Sequence, residues 1–508
     1  MEPMTTKRQD FQNIPWKIVG STRFGRYPKI SHEQTFNMIA VDDFLVDYAG
    51  YKNVAHLNPN GKGRGIYSCT RAGKMYAVVG NGFYSIGVYA SSNRNQRQYI
   101  YNKVGELNTL SGDVFMDANN GNQIGICDKH KIYIYNYVTG EFTTPELPEG
   151  FNPGYIAFHD GYFLIPDTNS SLWLISALND GNNLFPSPSN TIEDGSIQTK
   201  PDLAQAVIPI PGRGNLVLAL GTTVAELWSD IGSQPFPYKK NTQLNLDYGC
   251  VNNATIARSD KVVAWLASNE KSGPVIMYTT GSDVVPMSFD GLNYRFSQLV
   301  YPEQSTAFFV KLAGRLLYQL TFYHPKDNLS LLFDFESNQF YTLTDENWNY
   351  HIARHVAFFD NDYYFVSIND GNLYQMSAEI TEYDYGTFID GSPKVYEIPR
   401  ARVCKNVRLP TGDPFVINNG VFTIEQGEDS ANEGSYTPDY HPRIDISVSL
   451  DGGYNFSSYK SISLNPAGYR QSQPTIWGLG YTNDFVSQLR FWSKSRIAIS
   501  DGILSTYK

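Results

Sequence analysis

The feature that most constrains this chain is an internal repeat of strand, turn and strand. Ala157-Phe158-His159-Asp160-Gly161-Tyr162-Phe163-Leu164-Ile165 continues to Leu172-Trp173, and Ala357-Phe358-Phe359-Asp360-Asn361-Asp362-Tyr363-Tyr364-Phe365-Val366 continues to Leu373-Tyr374. Both read as aromatic strands joined at Asp, Asn and Gly turns, residues that tolerate positive φ or bond their own backbone. Tyr135-Asn136-Tyr137-Val138-Thr139-Gly140-Glu141-Phe142 matches Phe333-Asp334-Phe335-Glu336-Ser337-Asn338-Gln339-Phe340 without a gap, each a hairpin closing on an aromatic. Weaker copies run over 73–86, 211–228, 260–278 and 313–322.

Anchoring the units at Arg64, Gly112, Gly154, Ala204, Ala254, Ala307 and Ala353 gives spacings of 48, 42, 50, 50, 53 and 46 residues. Such periods suit four-stranded propeller blades. One meander cannot cover both its faces, whereas neighbours packed around an axis cover each other. The sequence thus predicts an all-β chain: a β-propeller of about seven blades over 61–380, a C-terminal β-sandwich-like domain over 381–508, and an extended N-terminal arm over 1–60. The C-terminal domain rests on the alternating segment Ile444-Asp445-Ile446-Ser447-Val448-Ser449-Leu450 and on strands around 487–499. Between them, Ser449, Asp451, Gly453 and Phe456 fit an Asp box, a hairpin turn in which Asp451 bonds turn amides and Phe456 is expected to return to the core.

The 42 Gly and 27 Pro interrupt the chain too often for long helices. No apolar run reaches the roughly 18–20 residues of a membrane helix, and Met1–Gln12 has no apolar signal region, so no membrane span and no cleaved secretion signal are expected. Cys69, Cys127, Cys250 and Cys404 lie far apart without a CxxC pair, which points to buried free thiols made in a reducing cytosol.

Chemistry is sparse. His351 and His355 have the spacing of a zinc helix but lack its Glu, and on a strand they stand ~13 Å apart, too far to share an ion. No GxSxG, P-loop or helix-opening GxGxxG is present. The Asp box recurs in propeller glycosidases, yet those need two carboxyls flanking the bond, and this one lies outside the propeller. We therefore expect no enzyme, no catalytic residue, no metal and no cofactor, with a glycan-binding or glycan-degrading propeller as the alternative. From Leu409 to Pro442 there is no Lys or Arg, while Asp413, Glu425, Glu428, Asp429, Glu433 and Asp439 make it acidic; a solvated loop is the simpler reading, with partner docking or Ca²⁺ binding as alternatives. The first 35 residues are mildly basic, through Lys7, Arg8, Lys17, Arg23, Arg26 and Lys29, too weakly so for nucleic-acid binding in a chain of net charge −10.

Several segments resemble one family. Gly221-Thr222-Thr223-Val224-Ala225-Glu226-Leu227-Trp228, Phe236-Pro237, Tyr248-Gly249-Cys250, Val262-Val263-Ala264-Trp265-Leu266 and Gly273-Pro274-Val275-Ile276-Met277-Tyr278 are similar to the packaged-DNA stabilisation, or tail hub, proteins of short-tailed bacteriophages. The resemblance extends to Asp47-Tyr48-Ala49-Gly50-Tyr51 and Arg64-Gly65-Ile66-Tyr67 near the start. Towards the end it takes in Asp451–Phe456, Gly468-Tyr469-Arg470, Trp477-Gly478-Leu479-Gly480 and Leu489-Arg490-Phe491. It implies a homo-hexameric ring below the portal and its adaptor ring. That ring would close the DNA exit channel, carry tail spikes, fibres or a needle, and face packaged DNA without reading its sequence. The family has no catalytic residues. Its pattern does not extend to the polar stretch 176–201 or to the acidic hairpin near Glu425. Low charge (18%) and high aromatic content (14%) suit large subunit interfaces. The expected docking elements are the N-terminal arm, with Phe11, Pro15 and Trp16, and the loop from Asn179 to Asn190.

Overall fold

In the computed structural model, residues 11–26, 33–90, 97–184, 194–233, 236–281, 283–426, 442–464 and 472–507 are described. Strands take up 53% of the chain and helices 2%. Seven antiparallel four-stranded meanders follow one another. Blade 1 spans 63–106, blade 2 spans 115–143, blade 3 spans 157–196, blade 4 spans 206–246, blade 5 spans 257–286 and blade 6 spans 305–343. Blade 7 takes three strands from Ala353–Phe359, Asp362–Ser367 and Asn372–Ser377, and its fourth from Gly50–His56. The fold class expected from the repeat is the one observed.

Local chemistry accounts for the turns. At the two matched repeats, Asp160 and Gly161 adopt φ of 43° and 90°, and Asp360 and Asn361 adopt 48° and 65°. Paired positive φ is the twist a two-residue hairpin needs. The other matched pair also forms equivalent hairpins, with Tyr135 opposite Phe142 and Phe333 opposite Phe340. Asn136 Oδ1 accepts from the amides of Val138 and Thr139, and Asp334 Oδ1 accepts from that of Glu336, so one side-chain oxygen shapes each turn. The faces between blades are filled by apolar side chains such as Ile134, Ile165, Leu218 and Trp265, all nearly inaccessible. All four cysteines are buried and free.

The expectation of an extended N-terminal arm over 1–60 is corrected for its described residues. Gly50–His56 is the outer strand of blade 7, so the chain's first repeat-like strand closes the ring onto its last. An open propeller would leave blade 7 with an unpaired row of amides, and this strand satisfies them. Gly50 itself fits where nothing larger does, since a Cβ there would sit 2.4 Å from the Ile380 carbonyl oxygen.

The C-terminal domain is a two-sheet sandwich assembled from both ends of the chain. One sheet orders Met38–Val41, Phe44–Asp47, Ile497–Tyr507, Phe415–Gln426 and Thr475–Thr482, with Phe11–Trp16 also paired to Ile497–Tyr507. The other runs Gln34–Phe36, Arg400–Val403, Val486–Trp492, Arg443–Ser449 and Lys460–Ser463. Gln34–Phe36 also pairs in parallel with the outer strand of blade 6, so that sheet is continuous with the propeller. Trp16, Phe422, Ile444, Leu489 and Phe491 pack the space between the sheets. Two buried arginines fasten the N-terminal strands there: Arg400 forks onto both oxygens of Asp47 at 2.6 and 2.9 Å, and Arg402 bonds the carbonyls of Ile18 and Ser21 and the Glu33 carboxylate. Among the described residues, no helix is long and apolar enough to cross a membrane.

Candidate functional site

The propeller axis is where a single chain of this fold brings residues of several blades together. The first strands of blades 1, 2, 6 and 7 place Ile66, Phe115, Phe308 and Val356, and the segments leading into blades 3 and 5 place Tyr155 and Ile256, around a cavity of 200 Å³. Beside it a buried carboxylate, Asp113, and a half-buried one, Asp117, bind residues of other blades. Asp113, at the entrance to blade 2, accepts from Arg354 Nε of blade 7 at 2.9 Å and lies 3.3 Å from His355 Nε2 and 3.8 Å from Lys129 Nζ. Arg354 also donates to the Gly63 carbonyl of blade 1. Asp117 accepts from Arg258 of blade 5 at 3.1 Å, from the Tyr67 hydroxyl of blade 1 at 3.2 Å and from the Phe158 amide of blade 3 at 3.0 Å. These bonds tie blades 7, 1 and 2 to one another and blade 2 to blades 1, 3 and 5.

Electrostatics fixes the charge states. Burial alone would raise the Asp113 carboxyl, but the Arg354 guanidinium beside it, with His355 and Lys129, holds it well below the usual carboxylate range. Burial pushes His355 down, against the pull of Asp113. Burial opposes the charge on Arg258 as well, yet Asp117 keeps it firmly protonated. A general acid and base need carboxyls whose protonation differs near the working pH. Asp113, locked ionised by its cations, is suited to holding blades together. Near the same junction Arg64, wholly buried, donates to the carbonyls of Gly80, Thr109, Ser111 and Gly112, tying blade 1 to the approach of blade 2.

The structure separates the two histidines read from sequence. His355 faces Asp113 at the axis, whereas His351 is buried beside Tyr48, Tyr51 and Phe365. Its Nδ1 meets Gln319 Nε2 at 3.1 Å, and burial pushes its pKa down to about 3. Among the described residues, no group of three or more His, Cys, Asp or Glu is placed to hold a metal ion.

The Asp-box turn is built as its residues suggest. Asp451 Oδ1 accepts from the Ser449 hydroxyl at 2.7 Å and from the amides of Tyr454 and Asn455 at 3.1 and 2.9 Å, and Ser449 Oγ accepts from the Gly453 amide. Those bonds, the Asn455 amide first, hold the Asp451 carboxyl down at about 2. Phe456 does not return to the core: its ring is 39% exposed, because the chain leaves the turn along the sandwich surface.

The docking residues read from sequence divide. Trp16 is not available, being fully buried, stacked edge-on against Phe422 and bonded through Nε1 to Ser487 Oγ at 2.9 Å. Alternation along its strand leaves Pro15 exposed, and Phe11 pairs opposite Tyr507. Asn179 is folded against blade 3, with φ of 56° and its amide donating to the Gly161 carbonyl at 2.7 Å. Leu184 is likewise buried, so the start of that loop is absorbed into the propeller. Asn190 lies outside the described residues, as do Glu428, Asp429, Glu433 and Asp439.

Sequence reasoning missed the axial ion pairs. The signal was present in the repeat phase, because Asp113 and Arg354 each follow directly after a blade anchor, Gly112 and Ala353.

A closed seven-bladed propeller joined to a two-sheet sandwich defines a β-propeller protein. Residues 32–381 match the phage-stabilisation family, described as the bacteriophage P22 Gp10 β-propeller, and the chain belongs to that family, whose members are phage structural proteins. No curated protein sequence matches the chain. Among solved structures, a catalytically inactive virginiamycin B lyase from Staphylococcus aureus with quinupristin is similar at 11% identity and a TM-score of 0.42, covering 65% of this chain and 99% of that one. The N-terminal domain of Nup159 is similar at 10% identity and a TM-score of 0.40, covering 68% of this chain and 98% of that one.

Proposed function

We propose that this chain is the tail hub, or head-completion factor, of a short-tailed phage: a non-enzymatic subunit of a six-fold ring that docks on the portal adaptor ring. The ring closes the exit channel after DNA packaging and carries the spikes, fibres or needle of the virion tail. The observation that carries this reading is the family match, which covers nearly the whole propeller.

The geometry supports it. The Asp113–Arg354 and Asp117–Arg258 pairs tie the blades of one subunit together, and in this reading the DNA path is the lumen of the ring of subunits. A net charge of −10 favours repulsion of phosphate over grip, which suits a conduit. Four buried free thiols accord with assembly in the host cytoplasm before release. The alternative, a glycan-binding or glycan-degrading tail propeller, would show as new reducing ends released from capsular or lipopolysaccharide glycans and abolished by a point mutation.

The deciding experiment is electron microscopy of virions from which this protein has been deleted. Emptied heads without tails support the hub. Filled heads that keep their DNA and bear complete tails refute it.

A further inference from the structure

The strands Glu382–Thr387 and Pro393–Glu397 form a hairpin added outside blade 7, beyond Gly50–His56. Its tip is a defect by ordinary surface rules. Ile389 is fully exposed and Phe388 is 44% exposed, where hairpin tips are normally polar. The turn is nevertheless tightly built. The Phe388 amide donates to the Ser392 carbonyl at 2.8 Å, the Gly391 amide to the Phe388 carbonyl at 3.0 Å, and Asp390 Oδ1 accepts from the Ser392 amide at 3.0 Å. Lys394 lies over the rings of Tyr385 and Phe388 and stiffens the base. A rigid apolar knob loses little freedom when it is bound.

A cavity that could receive such a knob is a cleft of 740 Å³ at the seam between propeller and sandwich. Its floor is apolar, with Phe24, Met287, Phe289 and Phe340, and its rim carries Arg23, Lys405 and Arg408. Glu33 is the acid of the lining, and it is already held by Arg402, while Arg408 is shared with Asp484. Arg23 and Lys405 thus leave the rim cationic, opposite in sign to Asp390 at the tip. Cleft and knob are separate patches: the cleft is bounded by the link from blade 5 to blade 6 and by the outer hairpin of blade 6, and the knob extends blade 7, on blade 6's other side.

We propose that the Phe388–Ile389–Asp390 tip of one copy seats in the propeller–sandwich cleft of the next copy of this chain, as the head-to-tail contact of the ring. Two different complementary patches make a heterologous interface, the kind that closes into a ring when the rotation per subunit permits. The inference rests on the ring reading above and adds which surfaces meet.

The test is the mass of the full-length chain in solution, by light scattering across a concentration series. Ile389→Asp destroys the knob, and Phe289→Asp destroys the cleft floor at a helix N-cap position, where Asp is well tolerated. Lys405→Glu with Arg23→Glu attacks the rim from the surface and serves should Phe289→Asp fail to fold. Each variant, with its monomer melting temperature unchanged, should weaken assembly at least about tenfold, as loss of a central apolar anchor does. The Ile389→Asp chain keeps only a cleft and the Phe289→Asp chain only a knob, so their equimolar mixture should stop at heterodimers. A wild-type oligomer that survives both variants refutes this contact and leaves the ring standing. A tip variant that dissociates while both cleft variants assemble normally refutes the pairing of knob with cleft. A wild-type chain monomeric at every concentration refutes the contact together with the self-assembling ring.

Discussion

Removing one carboxylate from the propeller axis should cost more than any surface change in the molecule. In Asp113→Ala, Arg354 loses bonds of 2.8 and 2.9 Å, and the side chains involved are 8% and 5% exposed, so water cannot replace the lost charge. His355 loses a hydrogen-bond partner and Lys129 loses the same counter-charge. Leaving a buried cation unpaired costs about 3–5 kcal/mol, against about 0–1 kcal/mol for an exposed pair. Lys129, 32% exposed, is partly rescued by solvent and adds little. The assay is urea unfolding followed by tryptophan fluorescence, with Trp173, Trp228 and Trp265 all buried in propeller blades. Asp113→Asn separates charge from shape: if charge dominates, it should be nearly as damaging as the alanine. A second readout is the acid limb. The folded carboxyl is held below its unfolded value, so its stabilisation is present above about pH 4 and is lost as pH falls towards the folded value. The alanine variant should lack that loss. A destabilisation of Asp113→Ala below about 1 kcal/mol, the value for an exposed pair, would refute the argument that this carboxylate ties the blades together.

Four further outcomes follow from the same geometry. Trp16→Ala, which empties a fully buried site, should cost about 3–5 kcal/mol and expose the N-terminal strand to limited proteolysis; unchanged protection would contradict its place in the core. Gly50→Ala forces a Cβ against the backbone of Ile380 and Glu382 and should cost about 1–3 kcal/mol, read as an early transition of blade 7 in hydrogen exchange, and an unaltered profile would mean the closure is looser than described. His351 has its pKa lowered to about 3 by burial, below its unfolded value of about 6.5, so the unfolded state binds its proton first and stability should fall as pH drops from 6.5 towards 3; His351→Gln should flatten that slope. Asp451 should titrate at about 2 by NMR, and a value near the ordinary 3.9 would show that the turn bonds are not formed in solution.

Much of the propeller is legible in the sequence because its determinants are local. Each of the seven anchors falls within three residues of the start of a blade's first strand, since the alternation of a strand and the Asp, Asn and Gly of a hairpin act over a few residues. The Asp box was legible for the same reason, with Ser449, Asp451 and Gly453 bonding one another within five residues. What the tertiary structure alone decided depends on partners far along the chain. Gly50–His56 reads as an isolated strand until it meets Asn372–Ser377, and Trp16 reads as an exposed anchor until Phe422 and Ser487 close over it. The axial pairs Asp113–Arg354 and Asp117–Arg258 join residues more than a hundred positions apart. A strand shows its period and its turns but not which edge will satisfy its amides, and a charge does not show which opposite charge burial will set beside it. Those choices belong to the closing of the ring.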